Sequence, residues 1–340
     1  MQATTLRALI VAVPETAGSA LYGMLDVLGA AGNIWQSLVR TEPERRLIVP
    51  AIVSLTAEPF RCGNAVPVAP DYGLDDAPTA DIVVVPEIWL APDAAVHGLH
   101  PPLMGWLRQQ HRSGAYVYSA CSGSILLAEA GLLNRCAATS HWAYADLFRT
   151  QYPDVRFQPD PSLVFADASG RLVTAGGTTS WHDLAVHIVA KHCGPAEAMR
   201  IAKTYLLKWH EEGQSPYACL VRAQPHADAV VRACEEWLAE HFREPHCVSR
   251  VVAGAKVPER TLKRRFRQAT GHSLIDHVQA LRIEEAKRLL ESTATATDEV
   301  AAAVGYEEPA FFRRLFKRLT GLTPGQYRRL FQPIHLAAAA

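Results

Sequence analysis

Apolar residues in the first two thirds of the chain fall in short unbroken runs. LRALIVAVP (6–14), RRLIVPAIVS (45–54), DIVVVPE (81–87) and AYVYSA (115–120) have the length and β-branched content of strands buried on both faces. Between them, SALYGMLDVLGAA (19–31) and GSILLAEAGLL (123–133) repeat apolar positions at the period of a helix. Apolar strands separated by helices predict a doubly wound α/β domain over residues 1–210, its parallel sheet covered on both sides. LVFAD and RLVTA around ASG predict a hairpin, and helical patterns near 180–192 and 195–209 close the domain.

From residue 226 the pattern changes. HADAVVRACEEWLAEHF, PERTLKRRFRQAT, SLIDHVQALRIEEAKRLLES, TDEVAAAVG and EPAFFRRLFKRLT all carry helical spacing, and no strand pattern occurs. Residues 226–332 therefore predict a second, all-α domain. The stretch between, 211–225, holds Gly213, Pro216 and Pro225 and reads as a linker.

The second domain contains an internal repeat. LKRRFRQATGHSL (262–274) superposes on FRRLFKRLTGLTP (312–324) at a constant offset of 50. Arg264 falls on Arg314, Phe266 on Phe316, Arg267 on Lys317, Thr270 on Thr320 and Gly271 on Gly321. A short small-residue helix, VSRVVAGA or TDEVAAAVG, precedes each basic helix. Short helix, tight turn and basic helix make a helix-turn-helix, here present twice. Leu262 and Phe266, or Phe312 and Phe316, stand four apart and pack inward. Arg260, Lys263, Arg264 and Arg267 in one copy, and Arg313, Arg314 and Lys317 in the other, then face solvent or the phosphates of double-stranded DNA. The helix over 273–292 is the spacer between the two readers.

Charge sharpens this division. The chain is neutral overall, but residues 1–225 carry 16 cations against 20 anions and residues 226–340 carry 18 against 14. KVPERTLKRRFR (256–267) alone holds six cations and one acid, so only the second half is suited to a polyanion. No apolar run reaches the ~18 residues of a membrane helix. The N-terminal apolar run leads into Pro14 and Glu15 and reads as a first strand, not a signal peptide. Seven cysteines without a C-x-x-C pair argue against a disulfide framework or a metal site, and a cytoplasmic location is expected.

YSACSGSILLAEAGLL (118–133) poses the chemical question. Strand, Cys121, small residues and helix form an elbow that lifts a nucleophile to the C-terminal edge of a parallel sheet, where a helix N-terminus lowers the thiol pKa. Ser122 adjoins it, His141 is a candidate base, and Glu15 and Glu87 follow the first and third strands. His182, His187 and His192 are spread around one helix and do not suggest a metal. Asp183 reads as a helix-start residue. Trp142 and Trp181 fit a pocket wall or the core.

Residues 226–331 resemble the seven-helix DNA-binding domain of AraC-type transcription regulators, through RTLKRRFRQATGHS, Arg282…Ala286…Leu289-Leu290, EVAAAVGY and FFRRLFKRLTGLTPGQYRR. Against that family, Lys256 replaces a turn glycine, which implies strain if φ is positive there. Pro258 replaces the usual serine cap, and Pro309 and Ala310 stand where polar base-reading side chains are common. The resemblance thus implies apolar base contact at Ala310. The first half resembles the PfpI-type branch of the class I glutamine amidotransferase superfamily, through YSACSGSILLAEAGLLNRCAATSHW, YPDVRF, RLVTAGGTTSWHDLAVHIVA and GQSPY. More closely it resembles the sensor domain of GlxA-type regulators, in which this flavodoxin-like fold precedes an AraC-type domain.

That resemblance implies a homodimeric regulator that binds operator DNA, contacts RNA polymerase and responds to a small nitrogenous metabolite, such as an amino acid or quaternary amine, without a cofactor. Superfamily enzymes commonly carry Gly-Gly in the oxyanion region after the third strand, where this chain has Glu87 and Ile88. An anion and a bulky side chain oppose oxyanion chemistry there. The elbow then reads as a pocket floor, with Cys121, Ser122 and His141 as ligand contacts and Glu15 and Glu87 beside them. Two alternatives stay open: a Cys-dependent amidase, hydratase or glyoxalase-like enzyme with an appended DNA-binding domain, and constitutive DNA binding with an α/β domain that only dimerises.

Overall fold

The four apolar runs become the centre of one sheet. The computed structural model describes residues 5–40, 45–91, 94, 96–219 and 226–337. Among these, the strands β1 (Leu6–Val11), β2 (Ile48–Ser54), β3 (Tyr72–Gly73), β4 (Ile82–Val85), β5 (Tyr116–Ala120), β6 (Leu163–Phe165) and β7 (Leu172–Ala175) lie in the order β6-β7-β5-β4-β1-β2-β3. All neighbours are parallel except the β6–β7 hairpin.

Side chains alternate across the sheet. Leu9, Val11, Val83, Val85 and Val117 face a core shared with α2 (Pro101–Arg112) and α3 (Gly123–Glu129). Ala8, Ile10, Ile82, Val84 and Tyr118 face the core under α1 (Gly18–Gly29) and α4 (Trp181–Cys193). Each fully buried large aliphatic side chain contributes about 1.5–3 kcal/mol. Stability therefore resides in the sheet and its covering helices, and the loops at its C-terminal edge are available for a site. The chain leaves β1 toward β2 on one side and returns to β4 on the other, the reversal of strand order at which open α/β sheets generally place their sites.

The chain divides into two compact units, Met1–Gln214 and Ser215–Ala340. The helical pattern of 195–209 ends earlier than its apolar spacing suggests: α5 spans Pro195–Tyr205, and Leu206 at φ 54° closes it. The segment that follows is not free along its whole length. Gln214, placed in the linker by its Gly/Pro-rich setting, is buried and bonded within the first unit. Residues 220–225 lie outside the described residues.

The second unit comprises α6 (Ala229–His241), α7 (Cys247–Gly254), α8 (Glu259–Thr270), α9 (Leu274–Ser292), α10 (Thr297–Ala303), α11 (Pro309–Thr320) and α12 (Pro324–Ala337). It has two small cores. Leu262 and Phe266 of α8 pack with Val231, Leu238 and Val251; Phe312 and Phe316 of α11 pack with Val300, Val304 and Tyr327. The spacer α9 supplies Leu274 and Val278 to the first and Ile283, Ala286 and Leu290 to the second. Among the described residues no helix is long and apolar enough to cross a membrane.

Candidate DNA interface and elbow site

The 50-residue repeat is reproduced bond for bond at its stop signal. Thr270 Oγ1 donates to Phe266 O and Thr320 Oγ1 to Phe316 O, both at 2.8 Å, and Gly271 and Gly321 follow at φ 79° and 75°. Only residues that tolerate the left-handed region suit those two closures. The turns ahead of the basic helices differ between the copies. Gly305 sits at φ 89°, and a Cβ there would lie 2.3 Å from Arg243 O. Lys256 does not adopt a positive φ, so the strain expected from its replacing a glycine is not incurred. Pro258 stands at the N-cap of α8 and Pro309 in the first turn of α11.

With Leu262, Phe266, Phe312 and Phe316 fully buried, Arg260, Lys263, Arg264 and Arg267 are exposed on α8, as are Ala310, Arg313, Arg314 and Lys317 on α11. They are not equally free. Lys263 pairs with Glu259 one turn back, and Arg313 with Asp298 of α10. Among the described residues, Arg260, Arg264, Arg267, Arg314 and Lys317 make no side-chain hydrogen bond or ion pair, which leaves them available to phosphate or base edges. Arg265, on the flank of α8, is committed to structure: its guanidinium grips both carboxylate oxygens of Asp228, at 2.7 and 2.6 Å. That contact holds the Asp228 carboxyl down to about 2, while Asp228 also caps α6 at Val230 N and Val231 N. Arg282 of the spacer joins the two halves. Its Nε donates to Phe242 O at 2.7 Å, Nη1 to Gly305 O at 2.7 Å and Nη2 to Glu244 O at 3.1 Å, and the guanidinium lies 4.9 Å from the Tyr306 ring.

At the sheet edge, Cys121 follows β5 at φ 53°, a left-handed turn that costs a non-glycine residue about 1–3 kcal/mol. The small residues after it are a steric requirement: a Cβ on Gly123 would lie 2.3 Å from Val85 O. Glu87 emerges beside it after β4. The Thr178 hydroxyl, beyond β7, donates to Glu87 Oε1 at 3.2 Å and lies 3.9 Å from Cys121 Sγ. Cys121 is fully buried. Burial, with the Glu87 carboxylate adding to it, pushes the thiol up to about 12, overturning the expectation that the helix N-terminus activates it. Burial also raises Glu87.

Ser122 beside the thiol is tied to the loop after β4: its Oγ donates to Ile88 O at 2.5 Å and accepts from Ile88 N at 2.9 Å. His141 Nδ1 accepts from Ala143 N, its ring rests on Trp142, burial lowers its pKa, and it makes no hydrogen bond to Cys121. Glu15 is taken by His100 Nε2 at 2.9 Å, so Glu87 is the acid beside the thiol. Asp183 stands in the first turn of α4, as a helix-start residue should, and there, buried, it holds His210 N and Nδ1. Trp181 packs over Gly23.

Three participants carried no chemical signal in the sequence. Thr178 and Gln214 belong to GGTTS and GQSPY, and Tyr144, whose hydroxyl donates to Leu90 O at 2.7 Å, closes the site near Cys121 and Glu87. Among the described residues no group of three or more His, Cys, Asp or Glu could hold a metal ion.

An α/β unit with a buried thiol elbow, joined to two basic readers, defines a DNA-binding protein with a second, site-bearing domain. Residues 35–191 match the DJ-1/PfpI family and residues 251–330 a helix-turn-helix domain. The HTH-type transcriptional regulator CdhR of Pseudomonas aeruginosa is 27% identical over 85% of this chain and 83% of its own length. The HTH-type transcriptional regulator GlxA of Rhizobium meliloti is 29% identical over 66% and 68%. A THiJ/PfpI family protein from Pseudomonas syringae shares the fold at a TM-score of 0.50 and 19% identity, covering 75% of this chain and 92% of that one. The chain is an AraC-type helix-turn-helix transcription regulator that carries a DJ-1/PfpI domain.

Proposed function

We propose that residues 1–210 sense a small amine-bearing metabolite at the elbow, without catalytic turnover, and thereby control DNA binding by residues 226–332. The observation that carries this reading is Glu87: a part-buried carboxylate beside the thiol, with no cationic partner among the described residues. A buried charge is costly unless it is paired, and an ammonium ligand supplies the pair. Exposed Thr178 stands at Glu87, and half-buried His141 and Trp142 follow Ser140, whose Oγ donates to Cys121 O; these side chains suit the apolar body of such a ligand.

Turnover is opposed on three counts. The thiol is held protonated, His141 is not aimed at it, and the Ile88 N–H, a potential oxyanion donor, is consumed by Ser122. In DNA binding the two readers of one monomer enter successive major-groove segments roughly 34 Å apart, and a homodimer reads a pair of such units. RNA polymerase is the further partner this reading implies.

The test is a thermal-shift screen of the full chain against primary and quaternary amines, with an operator-driven reporter. Cys121→Trp and Glu87→Gln should remove the amine-dependent shift and the reporter response. Amide or glyoxal turnover that vanishes in Cys121→Ala, with the fold intact, would overturn the non-catalytic reading.

A further inference from the structure

The segment that leaves the α/β unit is stitched to the walls of the elbow site. Gln214 is 3% exposed. Its backbone N donates to Asp160 O at 2.7 Å. Its side-chain Nε2 lies 2.9–3.2 Å from Pro159 O, Ser140 O, Thr139 Oγ1 and Pro161 O, and its Oε1 accepts from Trp142 N at 3.2 Å. Five partners surround one neutral side chain, in the loop that carries His141 and the strand connection beside it. On the opposite side a Cβ at Gly176 would fall 2.2 Å from Gln214 Nε2, and one at Gly177 would lie 3.4 Å from Gln214 Oε1 and 3.8 Å from His141 Cδ2. Gly177 directly precedes Thr178. Gln214 is thus wedged between the two loops that form the mouth of the site.

The chain on either side of Gln214 is held as well. His210 is fixed by Asp183, and Gly213, at φ 66°, has no room for a Cβ against Asp160 O at 2.3 Å. Beyond it, in the helix-turn-helix unit, Ala218 O accepts from Lys287 Nζ at 2.5 Å and the Tyr217 ring meets Phe331 at 5.3 Å. Lys287 belongs to the spacer α9 and is itself 7% exposed. The connection is clamped in the first unit at Gln214 and again, a few residues on, to the helix that separates the two DNA readers.

We propose that Gln214 is the positioning residue that couples the elbow site to DNA binding: movement of the 139–142 loop against the 176–178 turn releases Gln214, and release of Gln214 alters the tether held on α9. The proposal rests on the ligand-sensing reading only for what moves those loops in the cell. Coupling of this kind is reciprocal and is measured as non-additivity.

The experiment uses the full-length protein, an operator fragment and no effector. Operator Kd is measured for the wild type, Cys121→Trp, Gln214→Glu and the double variant, with hydrogen exchange of residues 137–144 as the record of site opening. Glutamate keeps the size of Gln214 but loses its donor. Cys121→Trp should open 137–144 and shift Kd at least about fivefold, and that shift should shrink below about twofold in the Gln214→Glu background. Gly176→Ala, which adds a Cβ against the Gln214 side chain without a left-handed backbone to strain, should reproduce Gln214→Glu and keeps the test open if one variant folds poorly. An equal Kd shift in both backgrounds, or an opened loop with unchanged Kd, shows Gln214 to be a local staple and overturns the proposal. Failure of every amine to bind would sink the ligand reading and leave this cycle untouched.

Discussion

Arg282→Ala offers the most quantitative test of how the two readers are held in register. The guanidinium donates to three backbone carbonyls, Phe242 O at the end of α6, Glu244 O just beyond it, and Gly305 O in the turn of the second helix-turn-helix. Hydrogen bonds from a charged donor are worth roughly 1.5–3 kcal/mol each, but the three share one side chain and part of its surface is solvated. A total of about 2–4 kcal/mol is expected for the loss, including the Tyr306 contact. For a helical unit of this size that corresponds to a fall in Tm of roughly 10–20 °C. Calorimetry on the full chain reads it as a shift of the helical transition alone. Arg282→Lys, which can satisfy one carbonyl but not a three-way fork, should recover only a minor part. Footprinting should show the second block weakened more than the first, because Gly305 O belongs to the second turn. A Tm change under about 2 °C with both blocks intact would refute this account of the spacer.

Arg264→Ala should relax operator preference by about 1–3 kcal/mol at one base position, whereas Arg314→Ala should weaken all sequences alike and lower the salt slope by about one unit; footprints across a salt series separate the two. Gly305→Ala should destabilise the helical unit by about 1–3 kcal/mol through its positive φ and the Arg243 O clash, while Gly254→Ala, with nothing within 4 Å, should be neutral or stabilising in urea titration. Burial in the first unit, with His187 and Lys191 nearby, lowers His192 to about 4, and its Nε2 lies 3.0 Å from the Tyr118 hydroxyl. The unfolded chain then binds more protons between pH ~6.5 and ~4, so stability is full above that window and falls through it on acidification, by up to ~3 kcal/mol before solvent screening. Denaturant midpoints at pH 7 and 4.5 should therefore converge in His192→Gln.

Much of this protein was legible in the order of its residues. Short β-branched runs separated by helical periods can bury both faces only as a covered parallel sheet, and a repeat of Phe, Arg, Thr and Gly at one offset can only be one supersecondary unit used twice. Those inferences rest on local periodicity and backbone conformation, which a sequence carries directly. Cys121, His141, Glu15 and Glu87 were visible as candidates for the same reason, since each follows a strand or its turn. Their roles were decided by contacts remote in the chain. His100 takes Glu15 across 85 residues and Ile88 engages Ser122 across 34. Thr178 reaches Glu87 across 91, and Gln214, in a stretch whose glycine and prolines suggest a linker, closes on Thr139 across 75. Whether a thiol is activated or silenced depends on the solvent and charges that tertiary packing leaves around it. A residue's own neighbours in sequence do not set these, because the groups that desolvate and pair it arrive from other strands.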